Sequence, residues 1–175
     1  ENKRLPRQQE IFEQSHELKR EFERLDRFNK LLYADGSELE EIVLEAFEEL
    51  GFETGSEISG KRDGAVLFDE KAFILETHGT ENAIGVGKVD QLDRWVRDAE
   101  EDFEDREIEG LLIANAYRRQ EPEKRGQALV GDPKQDLEDY GYKLLTTPEL
   151  YRFIQKKQQE NLSKEKIEGI LRESE

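Results

Sequence analysis

Three polar residues border two neighbouring apolar stretches of the sequence, where such side chains are uncommon. Asp63 precedes the apolar run 64–68, and Glu76 and His78 end the next apolar run, which begins at Ala72. Two carboxylates on adjacent strands repel each other unless a cation lies between them, and their oxygens suit Mg²⁺ or Mn²⁺. A neighbouring imidazole can accept a proton or bind a metal. These residue types predict a divalent-metal site.

The two stretches predict a β-hairpin with Asp69 and Glu70 at its turn. The numbers of paired residues then add up to 139, so Asp63 lies directly opposite Glu76. Opposite residues of an antiparallel pair share one face, with Cβ atoms about 4.5–5.5 Å apart. Side chains alternate along a strand, so His78 lies on the same face as Glu76. The hairpin therefore brings Asp63, Glu76 and His78 together at its open end.

The elements around the hairpin follow from hydrophobic periodicity and from turn residues. The predicted order is a helix (37–50), an extended stretch from 52, the two hairpin strands (63–68 and 72–78), a helix (89–104), a buried strand (110–117), a short helix (132–140), a last strand (142–145) and a helix from 147. Residues 37–40 have the form of a capping box, which explains Glu40 by structure alone. This order predicts an α/β fold with a mixed sheet flanked by helices.

The first 32 residues predict a long amphipathic helix in front of this domain. Steps of four and three alternate along a heptad seam with two polar interruptions: Ile11, Ser15, Leu18, Phe22, Leu25, Asn29 and Leu32. Such a seam is typical of a coiled coil, which would form a homodimer or attach further domains, or of a helix packed on its own domain. We divide the chain into the N-terminal helix (1–32), the α/β domain (33–154) and a C-terminal helical tail (155–175).

The acidic charge of the chain is concentrated in the α/β domain. The 175 residues include 43 Asp and Glu against 27 Lys and Arg, a net charge of −16, and residues 33–154 alone carry −17. Such a surface repels phosphate backbones unless basic residues gather or metal ions intervene. It fits the acidic cytosol of a salt-loving organism, plain solubility or a metal-dependent site. Basic residues near strand ends are candidate phosphate contacts or a solvated loop: Lys61, Arg62, Arg118, Arg119, Lys124 and Arg125.

Composition also predicts the cellular setting. No apolar run approaches the roughly 18 residues of a membrane span, and no secretory signal is visible. Cysteine is absent, which is compatible with a reducing compartment, so we expect a cytoplasmic protein without membrane contact. Methionine is absent too, which predicts a processed chain or a piece of a larger protein.

Asp63 followed by Glu76-Thr77-His78 resembles the Asp…(Asp/Glu)-x-Lys signature of the PD-(D/E)xK, or restriction-endonuclease-like, nuclease superfamily. The resemblance covers residues 33–154 and includes the order helix, three-strand meander, helix, strand. Many members carry a Glu in the first helix, similar to Glu40, and several carry a Gln in the helix after the signature, similar to Gln91. The resemblance therefore implies a restriction-endonuclease-like mixed sheet behind the N-terminal helix.

The resemblance also implies metal-dependent hydrolysis of DNA phosphodiester bonds, by an endonuclease or an exonuclease. Asp63, Glu76 and the Thr77 carbonyl would hold Mg²⁺ or Mn²⁺, and Glu40 and Gln91 would complete the site.

His78 departs from the family pattern, because it stands where the family carries Lys. If the site is active, His78 supplies either a charge when protonated or a base when neutral. We expect the neighbouring carboxylates to raise its pKa. If hydrolysis has been lost, the domain is a catalytically inactive nuclease-fold module for assembly or nucleic-acid binding.

Overall fold

The computed structural model describes residues 5–55, 63–68, 71–100, 103, 106–160 and 163–173. Its helices are α1 (Pro6–Asp26), α2 (Gly36–Leu50), α3 (Val86–Ala99), α4 (Asp132–Asp139), α5 (Thr147–Glu160) and α6 (Lys164–Glu173), with 3₁₀ turns at Arg27–Leu32 and Pro122–Lys124. Its strands are β1 (Glu53–Gly55), β2 (Ala65–Leu67), β3 (Lys71–Gly79), β4 (Glu107–Asn115) and β5 (Lys143–Thr146). The predicted α/β order is confirmed. None of the helices in these ranges is long and apolar enough to cross a lipid bilayer.

The strands form one mixed sheet in the order β1-β2-β3-β4-β5. The first three strands are an antiparallel meander, whereas β4 runs parallel to β3 and β5 runs parallel to β4. Parallel neighbours need crossover connections, which α3 and α4 provide. The carboxyl end of β3 therefore lies beside the carboxyl end of β4, with the start of α3 close by.

The register of β2 against β3 agrees with the hairpin deduced from the sequence. Ala65 faces Ile74, and the Leu75 N–H donates to the Gly64 carbonyl at 3.0 Å. In both pairs the residue numbers add up to 139, so the predicted register is confirmed. The predicted turn at 69–70 lies outside the described residues.

Helices cover both faces of the sheet because strand side chains alternate between two apolar layers. Leu75 and Ile113 are buried in the layer of α2 and α5. Ile74 and Leu112 are buried in the layer of α3 and α4. Each large apolar side chain buried in this way contributes about 1.5–3 kcal/mol to folding. The alternation places Glu76 on the α3 face of the sheet.

Helix α1 leaves most of its apolar stripe in solvent. Leu18 is 70% exposed and Phe22 is 68% exposed, whereas Leu25 packs against the core. An ion pair between Arg24 and Glu49 ties this end of α1 to α2. The alternative in which α1 packs on its own domain is therefore wrong for Leu18 and Phe22. Pairing with a second chain or a further domain stays a prediction, which sedimentation can test.

The start of α2 differs from the predicted capping box. The helix begins at Gly36, and its N-cap is Asp35, which has extended backbone (φ −144°, ψ 175°) and whose side chain makes no capping hydrogen bond. Instead, the Asp35 carboxylate pairs with Arg118 at 2.5 Å. The capping box at 37–40 is wrong because the helix has already begun before Ser37. Glu40 thus loses its purely structural explanation.

Candidate functional site

Glu76 is a fully buried carboxylate on the α3 face of β3. Its Oε1 atom accepts a hydrogen bond from Lys88 Nζ at 2.8 Å, and its Oε2 atom has no partner among the described residues. Burial raises the pKa of Glu76 to about 7, although the hydrogen bond from Lys88 acts against this shift. A buried carboxylate oxygen without a partner is unfavourable, and a bound ion or a catalytic role is among the explanations for such an atom.

Asp63 approaches the same end of β3 from the hairpin. Its Oδ2 atom accepts a hydrogen bond from the Thr77 N–H at 2.7 Å. Burial raises the pKa of Asp63 to about 6, the Thr77 hydrogen bond opposes the shift, and the charge of Glu40 adds to it. The structure therefore brings Asp63 to the Glu76-Thr77 segment.

His78 is half-buried next to this pair, and its pKa is lowered. Burial is the main cause, the charge of Lys88 adds to it, and Asp35 opposes it. The expectation that the carboxylates raise the pKa of His78 is therefore wrong, because the ring loses water and lies within the field of an ammonium group. A neutral imidazole supplies no fixed positive charge at this position.

Lys88, which the sequence reading did not single out, brings a cation to the site. It is the third residue of α3, and its Nζ lies 2.8 Å from Glu76 Oε1 and 3.1 Å from Gln91 Oε1. Residues three apart share one side of a helix, which explains why Lys88 and Gln91 meet. The sequence does contain one indication of this role. Lys88 lies at the start of the helix that follows Glu76-Thr77-His78, three residues before Gln91.

The other predicted site residues differ in how closely they approach the Asp63 and Glu76 carboxylates. Gln91 reaches Glu76 through Lys88. Glu40 acts through its charge, which raises the pKa of both Asp63 and Glu76. Thr77 contributes its N–H, and the proposed metal-binding role of its carbonyl stays a prediction.

The basic residues named as candidate phosphate contacts are engaged elsewhere. Three pair with acids, namely Arg118 with Asp35, Arg119 with Glu81 and Lys124 with Glu121. Arg125 donates to Asn115 Oδ1 at 2.8 Å and to backbone carbonyls. Lys61 and Arg62 lie outside the described residues. Arg118 and Arg125 therefore tie their loop to the domain, whereas Arg119 and Lys124 lie in exposed ion pairs.

The donor set around Glu76 fits a hard divalent cation. Mg²⁺ commonly takes one or two protein carboxylates and completes its coordination with water and substrate phosphate oxygens. The free Glu76 Oε2 and the neighbouring Asp63 offer that number. Within the described residues, no three His, Cys, Asp or Glu side chains come together as metal ligands. A metal here would therefore rely on water or substrate for its remaining positions.

Comparisons with known proteins find likeness in structure and none in sequence. No protein-family model matches the chain, and no curated protein matches it in sequence. A chain of the EndoMS–dsDNA2 complex is similar in structure, with a TM-score of 0.44 and 19% sequence identity over 61% of this chain. The matched part spans 41% of that chain.

Proposed function

We propose that this chain contains a metal-dependent nuclease domain that hydrolyses DNA phosphodiester bonds. The observation that carries the proposal is the buried Glu76, whose Oε2 has no partner while Lys88 holds its other oxygen. A carboxylate kept in this state costs stability, and a metal at Oε2 would remove that cost. Asp63, Glu76 and the Thr77 carbonyl would hold Mg²⁺ or Mn²⁺, as the resemblance to PD-(D/E)xK nucleases implies.

The metal, when bound, would polarise the phosphate and lower the pKa of a bound water. Lys88 would supply the fixed positive charge that the family places at the position of His78. Its ammonium group stabilises negative charge that develops on the phosphate, because it lies in a partly dehydrated setting. Gln91 holds Lys88 from the next turn and fixes its direction.

One set of contacts favours the second candidate, an inactive module for assembly or nucleic-acid binding. Asp63 already accepts a hydrogen bond from Thr77, and Glu76 already pairs with Lys88. In an inactive relative these contacts would only neutralise the two carboxylates. The two candidates differ in whether a metal binds.

Metal titration and a cleavage assay test the proposal together. Calorimetry with Mn²⁺ is expected to show one site in the wild type and none in Asp63→Asn. With Mg²⁺ or Mn²⁺, the wild type is expected to cleave linear, single-stranded or branched DNA, and chelation should stop the reaction. Heat release without cleavage on any of these substrates would reject the nuclease, and absence of metal binding would favour the inactive module.

A further inference from the structure

A cavity of about 110 Å³ lies where β4 and β5 end and α5 begins. Among the described residues that line it, two carry a charge, Arg125 and Arg152, and none is acidic. The chain as a whole has a net charge of −16, so a cavity with two guanidinium groups and no carboxylate is a local exception. A cleft lined by one sign of charge attracts ions of the opposite sign.

Arg125 is a half-buried cation that only neutral oxygens hold. Its Nη1 donates to Asn115 Oδ1 at 2.8 Å, its Nε donates to the Gln120 carbonyl at 3.1 Å, and its Nη2 donates to the Leu32 carbonyl. Within the described residues, no carboxylate forms an ion pair with it, and Glu123 acts on it only through its charge. Because buried charges are ordinarily paired, Arg125 lacks a counterion.

Arg152 brings a second guanidinium group from the exposed side of α5. Its Nε donates to the Pro148 carbonyl at 3.2 Å, one turn earlier in the same helix. In the part of the chain that the structure describes, its two Nη groups have no partner. A guanidinium group matches the geometry of a phosphate with two parallel N–H donors, and these two Nη groups are available for such a contact.

The cavity lies beside the candidate metal site on the same edge of the sheet. His78 pairs with Ala114, and Ala114 pairs with Thr146, and both Ala114 and Thr146 line the cavity. Neighbouring strands are about 4.8 Å apart, so the cavity lies roughly 5–10 Å from His78 across the strands. Ala114 is buried in the layer of α3 and α4, on the face that also carries Glu76. One nucleic-acid strand advances about 3.4 Å of helix axis per phosphate, so a single strand can reach both places.

We propose that this cavity binds a second phosphate of the DNA strand whose scissile phosphate lies at Glu76. Arg152 makes the contact, and Arg125 supplies a fixed positive charge behind it. The inference rests on the proposed nuclease function, which makes that strand the substrate. Contacts to phosphate carry no information about the bases, so the cavity positions the strand without imposing a sequence preference. A contact remote from the reacting phosphate binds ground state and transition state alike, so it lowers KM and leaves kcat unchanged.

Arg152→Gln tests the contact on an exposed side chain. Lys156→Gln is the matched control, because Lys156 is exposed one turn further along α5, does not line the cavity, and its loss changes the net charge equally. Arg152→Lys keeps the charge without the two parallel donors and should recover part of the binding. Arg125 is left unchanged, because it also ties its loop to Asn115.

The readout is binding of a fluorescent DNA duplex, measured by anisotropy at several salt concentrations in the presence of a chelator. Arg152→Gln is expected to weaken binding about tenfold, the size of one hydrogen bond to a charged group. It should also lower the slope of log K against log salt by about one, the value for one lost phosphate contact. Lys156→Gln should stay within twofold of the wild type. In Mg²⁺-dependent cleavage, Arg152→Gln should raise KM about tenfold with kcat unchanged.

The outcomes separate the two proposals. If the wild type cleaves DNA and Arg152→Gln has the same salt slope and KM as Lys156→Gln, the second phosphate contact is overturned and the nuclease stands. If the wild type cleaves nothing but the slope falls only in Arg152→Gln, the nuclease is overturned and the contact stands.

Inorganic phosphate distinguishes a free anion from the DNA strand. If it raises the melting temperature of the wild type and not of Arg152→Gln, while both bind duplex with the same salt slope, the cavity takes free phosphate and the contact to DNA is overturned. A wild type that binds no duplex at low salt overturns it as well.

Discussion

Two fully buried polar side chains in the carboxyl-terminal halves of neighbouring strands, Asn115 on β4 and Glu76 on β3, differ in how the fold satisfies them. Asn115 Nδ2 donates to the Ala34 carbonyl at 2.8 Å, and its Oδ1 accepts from Arg125 at 2.8 Å and from Thr147 at 3.0 Å. Glu76, in contrast, has one oxygen bonded and one without a partner.

The difference separates an architectural polar group from a functional one. A buried polar network whose groups are all bonded stabilises the position of the segments that it joins. Asn115 joins the start of α5, the loop that carries Arg125, and the segment before α2. A buried group that is only partly bonded lowers stability, and at a functional site a ligand can complete its bonds. The same degree of burial thus has opposite meanings at the two positions.

The largest expected effect is on the Glu76 side of this comparison. Lys88→Ala should lower kcat/KM of metal-dependent cleavage on the order of 10²–10³-fold, because it removes the fixed charge beside the phosphate. Lys88→Arg should recover part of the rate. His78→Ala should cost less than about tenfold, since a neutral imidazole supplies no fixed charge. A larger loss in His78→Ala than in Lys88→Ala would show that His78, and not Lys88, supplies the charge beside the phosphate.

The next effect is on the Asn115 side and concerns stability. Asn115→Ala should lower the free energy of unfolding by about 3 kcal/mol, because it leaves the Ala34 carbonyl, Arg125 and the Thr147 hydroxyl each short of a partner. Thr147→Val removes one hydrogen bond of this network and should cost about 1 kcal/mol. Urea unfolding measures both. A loss below 1 kcal/mol in Asn115→Ala would contradict the view of this network as architecture.

A smaller effect than that of Asn115→Ala is the pH-dependent gain of stability expected in Glu76→Gln without metal. The folded pKa of Glu76, about 7, lies above its ordinary value of 4.5. The folded state therefore binds more protons between these values, so the wild type loses stability as pH rises from about 4.5 to about 7. Lys88 attracts the charged form, whereas Asp63 and Glu40 repel it.

Gln cannot ionise, so Glu76→Gln should be more stable than the wild type by about 1–2 kcal/mol at pH 8 and nearly equal to it at pH 4. The free energy of unfolding of both proteins, measured in the presence of a chelator, checks this. Asp63 titrates in both proteins, so the comparison isolates Glu76. Equal stability of the two proteins at pH 8 would show that Lys88 fully compensates the buried charge. The contrast with Asn115 would then disappear.

The order of helices and strands, the hairpin register and the meeting of Asp63 with the Glu76-Thr77 segment could be predicted from the sequence. These features depend on periodicity and on the strict alternation of side chains along a strand, which neighbouring residues determine. The predicted heptad seam lies on α1 as far as Leu25, and its last two positions, Asn29 and Leu32, lie in the 3₁₀ turn that follows. The chain itself does not cover Leu18 and Phe22.

Only the tertiary structure decided which cation faces Glu76. Lys88 follows Glu76 by twelve residues, and it reaches the carboxylate because the crossover from β3 brings the start of α3 back onto the same face of the sheet. The direction of the pKa shift of His78 could not be predicted from the sequence either, because it depends on burial and on the charge of Lys88. Local spacing determines which residues share a face. Burial, and the approach of charges from other elements, arise only when the layers pack.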